Sequence, residues 1–185
     1  MSKLMITNAR LAFPDLFKAV TFDGTGEPSY SATLLLGPDH PQLAAIRAAQ
    51  EAVGLDKWGA KWATIKKEIE AKDKMALHDG DTKGSLDGFP GNFFVSTRAK
   101  ANARPTIIDR DKTPLTEADG RPYGGCFVNC SIELWAQDNS YGKRINAQVR
   151  GVQFVRDGDS FAGGIPASSD EFEAVTDGAY ADDLA

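Results

Sequence analysis

Three stretches of this chain alternate apolar and polar side chains with a period of two, the signature of a half-buried β-strand. They cover about residues 92–101, 125–137 and 143–156. In the middle stretch Val128, Cys130, Ile132 and Leu134 share one side, and Phe127, Asn129, Ser131, Glu133 and Trp135 the other. In the last, Ile145, Ala147 and Val149 oppose Arg144, Asn146, Gln148 and Arg150. In the first, Phe93, Val95, Thr97 and Ala99 oppose Phe94, Ser96, Arg98 and Lys100. Each strand therefore asks for a core on one side only, as in a small antiparallel barrel.

Two more strands precede these. Residues 3–13 read as a strand stopped by Pro14, and residues 29–36 as a second that ends at Gly37-Pro38. The period then becomes helical, with Leu43, Ile46, Ala49, Gln50 and Val53 on one face and a stop at Gly54. A second helix is expected over about 56–72, with Asp56 as N-cap and Trp58, Trp62, Ile65 and Ile69 on one face. Lys57, Lys61 and Lys67 on its other face read most simply as a solvated surface, with contact to a phosphate as the alternative. Five strands with a helical insertion over 39–72 predict a mainly β chain, most economically a five-stranded OB-type barrel. The insertion falls between strands two and three, whereas the usual OB helix follows strand three. Residues 138–142 form the expected hairpin loop. Residues 102–124, with Pro105, Pro114 and Pro122, make a long polar connection that suggests a functional loop.

Charge divides the chain. All 21 basic residues and 18 of the 26 acidic ones lie in 1–156, a body of net +3, while 157–185 holds eight acids and no base. This predicts a domain over 1–156 and a flexible acidic tail over 157–185, with no packed element from Gly158 onwards. Such a tail either solubilises the chain, competes for the cationic surface, or docks on a basic partner. The 42% hydrophobic content, with ten Phe, supplies a core that needs no staples. Cys126 and Cys130 lie on the same side of one strand, too far apart for a disulfide, and read as small core residues. No segment approaches the ~20 apolar residues of a membrane span, and the start lacks a cleavable leader, so a reducing cytoplasm is expected.

Little in the sequence speaks for catalysis. There is no Gly-x-x-x-x-Gly-Lys-Ser/Thr, no Gly-x-Gly-x-x-Gly after a strand and no His-x-x-x-His. Residues 79–84 resemble the start of a calcium loop but place Lys83 at position five and Pro90 at position twelve. Asp109-Arg110-Asp111 fails likewise, with Pro114 at the glycine position. Glu70-Ala71-Lys72 matches a nuclease fragment but lies on a helix end with no strand-borne Asp ahead of it. No enzyme, metal or cofactor is expected.

The non-core face is more informative. It gathers Arg98, Lys100, Arg144 and Arg150 with the aromatics Phe94, Phe127 and Trp135. Cations suit phosphates, and exposed rings suit unpaired bases, which stack for about 1–3 kcal/mol each. A duplex hides its base faces and would use only the charges. The same pattern also describes a solvated sheet face with Trp135 packed under a loop, so from the residues alone both readings stand.

Longer motifs add to this. They run through Gly88-Phe89-Pro90-Gly91-Asn92-Phe93-Phe94 and then Ala103-Arg104-Pro105-Thr106-Ile107-Ile108-Asp109-Arg110-Asp111. Tyr123-Gly124-Gly125-Cys126-Phe127-Val128-Asn129 and Trp135-Ala136-Gln137-Asp138-Asn139 follow, then Gly151-Val152-Gln153-Phe154-Val155-Arg156-Asp157-Gly158, and Thr7-Asn8-Ala9-Arg10-Leu11 fits as well. Together these stretches resemble a family of phage and prophage single-stranded DNA-binding proteins, long catalogued as a domain of unknown function. The resemblance implies an OB-fold, non-enzymatic protein that coats single strands in phage replication, recombination and repair. The acidic tail is similar to those of T7-type and bacterial single-stranded DNA-binding proteins, which recruit replication or recombination partners. Here the tip, Tyr180-Ala181-Asp182-Asp183-Leu184-Ala185, lacks their terminal aromatic.

On that reading Arg98, Lys100, Arg104, Arg144 and Arg150 neutralise phosphates, and Trp135, Phe94, Phe127 and Tyr141 stack on bases. Arg110 and Lys112, in the long loop, clamp the strand. Two other readings stand beside it: a strand-annealing protein of recombination, and a protein-interaction module that binds no DNA.

Overall fold

The computed structural model describes residues 1–161 and 169–175. Its strands are β1 (Ser2–Val20), β2 (Ser29–Leu36), β3 (Leu77–Asp79), β4 (Phe93–Lys100), β5 (Thr106–Ile108), β6 (Phe127–Asn139) and β7 (Gly142–Arg156). Helices α1 (Leu43–Trp58) and α2 (Trp62–Ala71) lie between β2 and β3. β1 pairs antiparallel with β2 and β6, β2 with β4, and β6 with β7. One parallel contact, Thr97↔Ala147, joins β4 to β7 and closes the ring. The five long strands thus form an OB-type barrel. β3 and β5 are short additions beside β4 and β7.

The alternation read from the sequence fills the interior. Ile6, Leu11, Leu34, Val95, Val128, Ile132, Leu134, Ile145 and Val149 are fully buried. Leu43, Ile46, Val53, Trp62, Ile65 and Ile69 of the helices join the same core. Ile145 N–H donates to the carbonyl of Lys74, just past α2, at 3.0 Å, which ties the insertion to β7. Cys126 and Cys130 are free thiols in this core. Burial pushes them up to about 11 and about 12, so both stay protonated and inert at neutral pH.

Several boundaries differ from expectation, each for a local reason. β1 does not stop at Pro14 but runs to Val20, its register slipping between Ala12 and Asp15. Pro14 falls inside that slip, where the ladder needs no N–H. α1 passes through Gly54 to Trp58, and a Cβ at Gly54 would overlap the Trp62 ring. The glycine admits α2 at close range and does not end the helix. Asp56 therefore lies within α1 and is no N-cap, and a 3-10 elbow, Gly59–Lys61, turns the chain into α2.

The 75–91 connection folds back over the barrel. Its Phe89 and Leu86 build a second apolar cluster outside the barrel with Ala12, Leu35, Phe94 and Phe161. The carboxylates of the calcium-like stretch serve the backbone: Asp79 Oδ1 accepts from Asp81 N–H at 2.9 Å, and Asp81 Oδ1 from Gly91 N–H at 2.8 Å.

Residues 157–161, expected to begin a flexible tail, pack on the body instead. The Tyr123 hydroxyl donates to Asp157 Oδ1 at 2.7 Å, an Arg10 guanidinium N–H to the Asp159 carbonyl at 2.7 Å, and Phe161 N–H to the Gly124 carbonyl at 3.1 Å. Most of the expected tail, 162–168 and 176–185, lies outside the described residues.

Candidate nucleic-acid interface

Register places the outer surface of the barrel. The cross-strand pairs Ser29↔Lys100, Ser31↔Arg98 and Thr33↔Ser96 point outward, since their neighbours Tyr30, Ala32, Thr97 and Ala99 are buried. The inward parallel contact Thr97↔Ala147 makes the next residues, Arg98 and Gln148, emerge side by side on the outside. β5 starts at Thr106 opposite Gly151, so the short turn after Lys100 brings Arg104 back to the seam that Arg150 borders. Ala103 N–H closes that turn on the Lys100 carbonyl at 2.8 Å.

Arg98, Lys100 and Arg104 are exposed and form no ion pair among the described residues. Arg150 sits at the register slip between the pairs Ser131↔Gly151 and Ile132↔Val149, and its guanidinium donates to Glu133 Oε2 at 2.7 Å. The seam between β4 and β7 is thus a strip of three unpaired cations and one paired cation, edged by hydroxyls. Such a strip attracts a polyanion without fixing a base sequence.

The aromatic residues divide. Trp135 is half-buried on the outward side of β6, opposite Asn146 and past the end of β1, whose last partner there is Leu134. Tyr141, 92% exposed in the β6–β7 turn, is open to a base. Phe94 points outward but is only 5% exposed, stacked on His78 at 4.9 Å and edge-on to Phe89 at 5.1 Å. It belongs to the outer cluster and offers no free face. Phe127 is half-buried, with the Arg156 guanidinium 3.6 Å above its ring. One of its faces is therefore already taken.

Arg144 is half-buried on β7 opposite Gln137, and its Nε is buried with no hydrogen-bond partner among the described residues. Arg110 and Lys112 lie away from the seam. Arg110 stands over Phe154 at 5.9 Å, beside Arg121 at 5.6 Å, and shares a cavity of about 450 Å³ with Asp109, Asp111 and Asp157. The Arg121 guanidinium holds the Asp109 carboxyl below its usual range. Hydrogen bonds from Thr113 do the same for Asp111, and from Thr116 for Asp119. These charges mainly bind the 109–121 loop to itself.

Three exposed rings among the described residues fall outside the alternating faces read from the sequence: Phe13 (59% exposed), Phe22 (73%) and Phe172 (70%). Phe13 stands in the slip of β1 between Ala12↔Thr33 and Asp15↔Ser31, with a positive φ of 47°. The break in pairing hides it from any period-two count, and only its place before Pro14 hinted at an irregular strand.

Barrel order and surface chemistry together define an OB-type protein with an outward cationic strip. The family described as "Enterobacter phage Enc34, ssDNA-binding protein" matches residues 2–184, and the chain belongs to that family. It is 42% identical over 179 residues to protein p50 of Acyrthosiphon pisum secondary endosymbiont phage 1, covering 94% of each. The single-stranded DNA-binding protein of bacteriophage Enc34, solved in complex with ssDNA, superposes with a TM-score of 0.68 at 27% identity, covering 86% of this chain and 89% of that one. The single-stranded DNA-binding protein gp2.5 of bacteriophage T7 shares the fold at a TM-score of 0.56 and 14% identity, over 91% of this chain and 99% of that one.

Proposed function

We propose that this chain is a sequence-tolerant single-stranded DNA-binding protein that coats and protects unpaired strands during phage DNA replication, recombination and repair. The observation that carries the reading is the β4–β7 seam, where Arg98, Lys100 and Arg104 stand exposed without acidic partners among the described residues. Trp135 and Tyr141 supply base-stacking surfaces on the β6–β7 side, and Phe13 and Phe22 add rings on the β1 side. Family membership and the likeness to a protein solved with ssDNA support the same conclusion. The protein acts by binding and not by catalysis, in the host cytoplasm. The acidic residues beyond Phe161 serve as a contact for replication or recombination proteins.

Fluorescence titration with oligo-dT and mixed-sequence oligonucleotides at two salt concentrations tests the proposal. The expected result is affinity that falls with salt and changes little with base composition. Affinity that ignores salt, or binding of duplex in preference to single strands, contradicts it.

A further inference from the structure

We propose a second contact for single-stranded DNA at the elbow between α1 and α2, reached over the tip of the β6–β7 hairpin. The inference rests on the single-strand-binding function and extends its site beyond the barrel surface. Lys57 and Trp58 end α1, Gly59–Lys61 form the elbow, and Trp62 begins α2. Trp62 is 3% exposed, and Trp58 stacks on it with ring centres 5.6 Å apart and planes 7° from parallel. Trp58 is itself only half-buried, so the pair presents one ring at the surface. A nucleobase can continue this stack as it would on any exposed aromatic.

The ring is held in place. Trp58 Nε1–H donates to Asp138 Oδ2 at 2.8 Å, and Trp62 beneath it donates to Glu51, which also pairs with Lys66. Lys57 and Lys61 flank Trp58 in sequence, and both are exposed. Neither forms an ion pair among the described residues. Of the acids close by, Glu68 is paired with Lys72 at 3.1 Å, and Asp138 keeps its charge while it accepts from the neutral Trp58 indole. Asp56, the residue before Lys57 on α1, is exposed as well. A Cβ built on Gly59 meets nothing within 4 Å, so the elbow is open to a ligand.

The hairpin connects this spot to the barrel surface. Trp135, Gln137 and Asn139 lie on one side of β6, and Ala136 and Asp138 on the other. The helices therefore meet the hairpin on the side opposite Trp135, and Tyr141 stands exposed at the crest between them. A strand that passes Trp135 and crosses Tyr141 arrives at Trp58 between two lysines. A strand too short to cross the crest stops on the barrel.

Length dependence separates this contact from the barrel surface. Full-length wild type and the double variant Lys57→Gln/Lys61→Gln are titrated with oligo-dT of about 8 and about 16 nucleotides, within the range one OB fold occupies. The variant is expected to bind the longer oligonucleotide about 5-fold more weakly, with a salt slope smaller by about 1.4 for two lost phosphate contacts. The shorter oligonucleotide is expected to bind as in wild type. In a Trp135→Phe background, the longer oligonucleotide alone should quench the remaining tryptophan emission. Equal loss on both lengths, or no loss and no change of slope on the longer one, overturns the elbow contact and leaves the barrel site standing. Failure of wild type to bind either length removes the function itself, and the elbow contact with it.

Discussion

At the scale of single residues, what separates Arg98 and Lys100 from Arg150, Arg121 and Arg156 is that neither has an acidic or aromatic partner among the described residues. Arg150 spends its charge on Glu133, Arg121 on Asp109, and Arg156 on the face of Phe127. An exposed cation–phosphate contact is worth up to about 1 kcal/mol. The double variant Arg98→Ala/Lys100→Ala should therefore bind oligo-dT roughly 10- to 30-fold more weakly, with an unchanged melting temperature, since neither side chain supports the core. Fluorescence titration and a thermal melt check this. Unchanged affinity would move the site away from the seam. The sorting of β4, β6 and β7 into two faces was legible because an unbroken strand has a strict period, and Arg98, Lys100 and Trp135 do lie on the outer side. The fate of Phe94 was not legible. Its direction is right, but Phe89 and His78, brought in by a connection with no period of its own, cover it.

At the scale of elements, the connection 102–124 shows how a polar loop acquires a shape. β5 fastens its first part to β7 in parallel, and ion pairs and turns fasten the rest. Thr116 N–H donates to Asp119 Oδ2 at 2.6 Å, and the chain reverses at Lys112, whose φ is 69°. Asp109, Asp111 and Asp119 all titrate below their ordinary value of 3.8. A carboxyl depressed by folding adds stability above its unfolded pKa and loses it as pH falls through the folded value. The loop should stay closed at neutral pH and loosen below about pH 3.8, before the buried barrel opens. Amide exchange across 109–121 between pH 5 and pH 2 measures this, and protection that persists at pH 2 would contradict it. Pro14 and Gly54 teach a related lesson. Both residues punctuate most sequences, yet one sits in a bulge and the other under a tryptophan ring, and only three-dimensional neighbours reveal which.

At the scale of the whole molecule, the barrel carries a cationic seam and a chain end rich in acid. The packed segment extends to Phe161, which Arg10 covers at 4.1 Å from its ring centre and which joins the outer cluster with Phe89 and Phe94. Two truncations should therefore behave differently. Removing 162–185 deletes six of the eight tail acids and leaves this anchor, so DNA binding should tighten, most at low salt where screening is weak. Removing 157–185 also strips Phe161 and the Asp157–Tyr123 bond, and should lower the melting temperature as well. Equal stability of the two would show that the anchor contributes nothing.

On the proposed function, the outward surface along β4 and β7 holds the single strand. Amide and side-chain NMR shifts on addition of a short oligo-dT test it most directly. The largest shifts are expected at Arg98, Lys100, Arg104, Gln148 and Trp135, with little change in the 109–121 loop. Shifts centred on Arg110, Arg121 and Phe154, with the seam silent, would contradict it.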